Sequence, residues 1–280
     1  MRLQHGEGDA HHYDAVFIDE AQDFSKSWLT CAKLALKDPD DGDLLIVGDA
    51  SQSLYQRRGF SWAEAGINAR GRTVNKRFDL DKNYRNTRQI LKVAAEFVAK
   101  NAQHTDDPET SLQIIKPDPD AAARSGPIPE LLLAPTVGGE LSAAVRKVDA
   151  WLRQGLKPTE IAVLYRANVK SWVKDLASLI SKRTPVNWPQ GQDAELRNPS
   201  GVLLTTIHSA KGLQWRAVLI MRIDMMPYIP KPSDDIAAQE RLEGGLMYVA
   251  MTRAEDMLAF TRSSLNGFAH RIQELLDQRH

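Results

Sequence analysis

Short apolar runs bounded by polar residues recur along the chain at residues 16–18, 44–47, 161–165 and 202–206, with a fifth at 218–221. They are rich in β-branched residues and most end in Gly, Asp, His or another polar residue, as strands of a parallel sheet covered on both faces do. Helical periodicity occupies the intervals. Residues 87–100 place Ile90, Leu91, Ala94, Ala95, Phe97 and Val98 on one stripe, and residues 140–152 and 171–180 repeat the pattern. This alternation predicts an α/β fold with its chemistry on loops at the strand C-termini.

A length of 280 residues accommodates one large domain or two compact ones, and 42% hydrophobic with 26% charged residues excludes a disordered or fibrous chain. Lys plus Arg and Asp plus Glu balance at 36 each, so any polyanion site must be local. One local excess stands out. Residues 57–92 hold ten Lys/Arg against three Asp/Glu, either an anion-binding surface or a solvated basic face. Residues 102–130 reverse the balance, with six acids against two bases, and five Pro between residues 104 and 129 mark a surface loop or linker. A second Pro-bounded loop covers residues 185–199. Cys31 is the single cysteine, so no intrachain disulfide forms, and a reducing, cytoplasmic setting is expected. His11 and His12 read as solvated tail residues. Neither a signal-peptide stretch nor a run of roughly 20 apolar residues occurs, so no membrane partner is expected.

Candidate chemistry sits where the runs end. The first is followed by Asp19-Glu20-Ala21-Gln22-Asp23. Paired carboxylates at a strand end suit nucleotide hydrolysis, one holding Mg²⁺ and its neighbour polarising water, although Asp-Glu also serves as an ordinary helix cap. The second run leads into Gly48-Asp49-Ala50-Ser51-Gln52-Ser53-Leu54-Tyr55-Gln56-Arg57-Arg58-Gly59. Gln52 can sense a terminal phosphate, and Arg57 and Arg58 can grip a polyanion backbone. Leu80-Asp81-Lys82-Asn83-Tyr84-Arg85-Asn86-Thr87 sets an aromatic ring beside a guanidinium just before a helix. Tyr84 can stack on a purine and Arg85 can reach a phosphate, or the pair is a buried ring with a surface charge. The run at 202–206 continues into Ile207-His208-Ser209-Ala210-Lys211-Gly212-Leu213. Residues 246–255 read as a helix carrying Arg253 late, as an arginine finger is carried.

In order, DEAQD, GDASQSLYQRRG, LDKNYRN, TTIHSAKGL and YVAMTRAED resemble consecutive motifs II to VI of superfamily 1 helicases of the UvrD/Rep/PcrA kind. The resemblance covers roughly residues 13–270, with 102–158 loosely constrained. It implies P-loop NTPase (RecA-like) parallel sheets in two lobes. Residues 1–77 correspond to the C-terminal part of the first lobe, with motifs II and III. Residues 78–280 correspond to the second, with motifs IV to VI. In that family ATP sits between the lobes and single-stranded DNA crosses them. Carried over, Asp19 organises Mg²⁺, Glu20 activates water, and Gln52 reports the γ-phosphate. Arg85 and Arg253 touch that phosphate, Tyr84 stacks on adenine, and Gln214 joins the nucleotide site. Tyr55, Arg57, Arg58, Thr206 and His208 face DNA. The implied activity is ATP-driven translocation, 3′ to 5′.

Departures from the pattern are specific. No G-x-x-x-x-G-K-S/T phosphate loop occurs in the 280 residues, so this chain alone is expected to be inactive, the loop coming from a missing N-terminal half or a partner chain. Such an incomplete first lobe is expected to expose apolar surface and a sheet edge, favouring an oligomer or a domain swap. The family's large accessory insertion is replaced by the loop at 185–199. Arg57 stands where relatives carry a base-stacking aromatic, Gln214 where they carry Glu, and Gly244-Gly245 where they carry charges. The rival function is a catalytically inactive helicase-derived module that binds nucleic acid or protein. A helicase joined to a nuclease finds no support, since no Asp, Glu and Lys set follows the last motif.

Overall fold

The computed structural model describes residues 12–49, 61–69, 82–98, 116–166, 171–189, 200–229 and 235–278. They fall into two compact units, the first formed by residues up to 69 and the second by residues 82–98 and those from 117 onward. The boundary expected between residues 77 and 78 lies outside the described residues.

In the first unit β1 (Ala15–Ile18) and β2 (Asp43–Ile46) pair in parallel, Ala15 opposite Asp43 and Ile18 opposite Ile46. Helix α1 (Lys26–Leu34) begins at Ser25, whose side chain accepts a hydrogen bond from the Trp28 amide at 3.3 Å. Alternation turns Val16, Ile18, Leu44 and Ile46 toward Leu29, Trp62 and Ala65. It turns Phe17 and Leu45 the other way, where Phe17 is 73% exposed. The expectation of strands covered on both faces is therefore corrected here: among the described residues this pair buries one face only.

The second unit is built on a six-stranded sheet in the order β5-β10-β9-β6-β8-β7, every pairing parallel. The strands are β5 (Glu130–Leu133), β6 (Ile161–Tyr165), β7 (Val186–Asn187), β8 (Val202–Thr206), β9 (Trp215–Ile220) and β10 (Ala254–Arg262). A separate parallel pair joins β3 (Asn83–Thr87) to β4 (Ala122–Arg124). On one sheet face Ile161, Val163, Val202, Leu204, Ala217 and Leu219 pack under helices α3 (Val137–Arg153) and α4 (Ser171–Ser181) through Val148, Trp151, Trp172, Leu176 and Ile180. The opposite face is covered by α2 (Arg88–Ala94) and α5 (Ile236–Met251), and α6 (Gly267–Asp277) follows β10. Phe97 and Phe268 meet edge to face at 5.1 Å. Both faces are thus dry, as parallel strands require. The architecture is the α/β, parallel-sheet class expected of a RecA-like lobe.

Several elements differ from expectation, three of them near the site. Helix α2 is shorter than residues 87–100 and tightens into a 3-10 turn over Ala95–Phe97. Strand β9 starts three residues earlier than expected. Helix α5 stops at Met251, and Ala254 already belongs to β10. Arg253 therefore lies past the helix end, in the turn into a buried strand, rather than late in a helix. Among the described residues no helix is long and apolar enough to cross a membrane.

Candidate functional site

In the first unit the exposed carboxylates of Asp19 and Glu20 follow β1 directly. Glu20 holds φ 52° and ψ 39°, the left-handed region that a residue with a Cβ occupies at a cost of about 1–2 kcal/mol. Strain of this kind persists where neighbours enforce it. Here the Glu20 amide donates to Asp19 Oδ1 at 2.8 Å, and the Gln22 amide nitrogen donates to Glu20 Oε2. Gln22 Oε1 in turn accepts from the Asp49 amide at 3.0 Å. One buried side chain thus bridges the loops that follow β1 and β2. Gly48 makes this possible: a Cβ there would stand 2.8 Å from Gln22 Oε1 and 3.1 Å from the Ala21 nitrogen. Asp19 offers exposed oxygen donors, which suits Mg²⁺, an ion that takes one or two protein carboxylates and completes its shell with water and phosphate. Gln52, Tyr55, Arg57 and Arg58 lie outside the described residues.

In the second unit three distant segments converge. Arg85 projects from β3, and with the Gln214 amide oxygen turned toward it, that oxygen accepts from Arg85 Nε at 2.7 Å and from the two terminal nitrogens at 3.0 and 3.2 Å. Arg253 is 3% exposed, its Nε donating to the Val249 carbonyl at 3.1 Å and one terminal nitrogen to the Leu213 carbonyl at 3.4 Å. The adjacent residues Leu213 and Gln214 therefore touch Arg253 and Arg85 respectively. Tyr84, beside Arg85, is 67% exposed, which rules out the buried-ring reading and leaves its face available for stacking.

Thr206 and His208 stand at the C-terminal end of β8. The Thr206 hydroxyl is 2.9 Å from the Ser209 hydroxyl and accepts the Ser209 amide at 3.1 Å. Nearby, Arg166, which follows β6, makes a bidentate pair with Glu243 at 2.8 and 3.2 Å, and Glu243 is fully buried. Burial pushes the His208 imidazole below its ordinary value; Arg166 acts in the same direction and Glu243 opposes it. The neutral form of the His208 imidazole is accordingly favoured.

Gln22 and Asn86 lie within the motifs DEAQD and LDKNYRN, which assign them no role, and Arg166 and Glu243 lie outside the motifs, because each of the four acts on a segment remote in sequence.

Comparison with known proteins matches residues 78–188 and 176–264 to the UvrD-like helicase C-terminal domain, and residues 9–65 to the UvrD/REP helicase N-terminal domain. The ATP-dependent DNA helicase PcrA of Staphylococcus epidermidis is 30% identical over 162 residues, covering 58% of this chain and 20% of PcrA. The ATP-dependent DNA helicase Rep of Buchnera aphidicola subsp. Acyrthosiphon pisum is 25% identical over 173 residues, covering 61% of this chain and 25% of Rep. The chain thus spans a fifth to a quarter of the length of these curated relatives. A solved structure described as the C-terminal domain of a possible DNA helicase from a Lactobacillus aligns with 69% of the chain at a TM-score of 0.47 and 19% identity.

Proposed function

Because this chain belongs to the UvrD-like helicase family, we propose that it forms part of an ATP-dependent translocase that couples ATP hydrolysis to 3′ to 5′ movement on single-stranded DNA. The observation that carries this reading is the joint anchoring of Arg85 and Arg253 around Leu213 and Gln214. Hydrogen bonds from Arg85 to Gln214 and from Arg253 to Leu213 orient the two guanidiniums for an anionic ligand.

Phosphoryl transfer asks a protein mainly for positioning and charge stabilisation. Glu20, fixed by its backbone and by Gln22, orients and polarises the attacking water. Arg85 and Arg253 take up charge on the γ-phosphoryl oxygens, Tyr84 stacks on the base, and Gln214 orients Arg85. Asp19 holds Mg²⁺, which supplies charge neutralisation for the phosphates when bound. Gln52 senses the γ-phosphate. Tyr55, Arg57, Arg58, Thr206 and His208 contact the DNA strand. Since the 280 residues contain no G-x-x-x-x-G-K-S/T, this chain by itself hydrolyses ATP poorly, and the phosphate loop comes from outside these residues.

The test joins the chain to a phosphate-loop segment and measures DNA-stimulated ATP hydrolysis. Glu20→Gln and Arg253→Ala each lower turnover by about 10²–10³-fold with the fold intact. Turnover unchanged in both variants overturns the proposal. DNA binding that ignores nucleotide in every variant identifies a binding module instead.

A further inference from the structure

The side chain of Asn86, 1% exposed, ties the segment of Arg85 to that of Arg253. Its Nδ2 donates to the Thr252 carbonyl at 2.9 Å and to the Ala254 carbonyl at 2.7 Å, the carbonyls on either side of Arg253. The Thr252 and Ala254 carbonyls face Asn86, while the Arg253 carbonyl between them accepts from the Trp215 amide of β9 at 3.0 Å. One amide does the work of a neighbouring strand. On its other side Asn86 is held by Asn83. The Asn83 Oδ1 accepts the amides of Arg85 at 2.9 Å and Asn86 at 2.8 Å, and its Nδ2 donates to Asn86 Oδ1 at 3.2 Å. The backbone of Arg85 and the turn bearing Arg253 are therefore fixed through two asparagine side chains.

We propose that Asn86 is a positioning residue that sets Arg85 and Arg253 in register with each other, so that the two guanidiniums meet an anionic ligand as one rigid pair. Its consequence for nucleotide binding rests on the reading of both arginines as γ-phosphate ligands; the mechanical coupling does not. A buried asparagine that only satisfied two carbonyls would hold Arg253 and leave Arg85 indifferent. The chain of hydrogen bonds through Asn83 predicts that both respond.

Asn86→Asp keeps the shape and turns the donor into a carboxylate facing two carbonyls. The experiment follows the arginine Nε–H signals of the 280-residue chain by NMR. Arg85 Nε, bonded to Gln214, and Arg253 Nε, bonded to Val249, report the two ends, while Arg216 Nε, which donates to Asp256 at 2.8 Å, serves as the control. Asn86→Asp is expected to speed hydrogen exchange at both Arg85 and Arg253 by on the order of tenfold, with Arg216 unchanged. Lowering the pH, which returns one donor to the substituted side chain, reverses the effect. If the Asp variant loses its fold, shown by Arg216 changing too, Asn86→Ser gives the same readout with a milder change. Movement of Arg253 alone, or of neither, overturns the proposal. Mg·ATP affinity is measured in parallel. If Arg85→Ala and Arg253→Ala leave it untouched, the nucleotide reading fails while the coupling stands on the exchange data.

Discussion

The Arg166–Glu243 pair offers a quantitative check on how the C-terminal ends of β6 and β8 are organised. Glu243 is fully buried on α5, and the Arg166 side chain is 20% exposed, its guanidinium 5.8 Å from the Tyr228 ring centre. Glu243→Gln preserves volume and removes the charge, leaving a largely buried cation opposite an amide that can satisfy part of the fork. Breaking a buried pair costs about 3–5 kcal/mol, and the access of Arg166 to water brings the expected loss to about 2–4 kcal/mol. At about 2–4 °C per kcal/mol for a unit of this size, a loss near 3 kcal/mol lowers the melting temperature by roughly 6–12 °C in calorimetry. The same substitution has an electrostatic signature. Glu243 is the group that raises the His208 pKa against burial and Arg166, so its neutralisation drives that pKa further down. Following the His208 ring protons by NMR against pH reads this directly. A melting temperature within 2 °C of the parent, on the scale of an exposed pair, or a His208 pKa that rises, would refute the reasoning.

Two further outcomes follow from the second unit. The Glu140 carboxyl is pushed up to about 6 from 4.5 by burial, with Arg222 lowering it and Asp224 raising it. The folded chain holds this proton more tightly than the unfolded chain, so the associated stability, about 2 kcal/mol, is present below pH 4.5 and lost as pH rises through 6; denaturant titrations in which Glu140→Gln kept that slope would exclude Glu140 as its source. Gly267 adopts φ 52°, and a Cβ there would collide with the Met226 carbonyl, which accepts the Phe268 amide at 2.7 Å. Gly267→Ala is expected to cost at least about 2 kcal/mol by thermal melting, and an unchanged melt would show that the turn relaxes freely.

Sequence patterning located β6 and β8 residue for residue, because buried central strands read as uninterrupted apolar runs. It failed where the signal was short or polar. Strand β3 consists of Asn83-Tyr84-Arg85-Asn86-Thr87, and nothing in that composition calls for extended structure. Strand β10 begins with Ala254-Glu255-Asp256 immediately after a helical stretch, so the helix pattern ran on through Arg253. Helix α3 starts at Val137, earlier than its periodicity suggests, because the Thr136 hydroxyl caps it by accepting from the Gly139 amide, and two glycines in the first turn carry no apolar signal. At the site, the motif residues Arg85, Gln214 and Arg253 are brought together. Asn86 bonds the remote carbonyls of Thr252 and Ala254, which leaves no periodicity to read, whereas Asn83 acts locally on the amides of Arg85 and Asn86.

The placement of β10 governs when this molecule can finish folding during synthesis. It lies between β5 and β9, with Ala259 opposite both Glu130 and Leu219, and its entrance supplies the carbonyls that Asn86 caps. Until residues near 262 have left the ribosome, β5 has no neighbour and the Asn86 amide has nothing to bind. A nascent chain that ends short of residue 262 therefore leaves the edges of β5 and β9 unpaired on that side, apolar strand edges that chaperones can recognise.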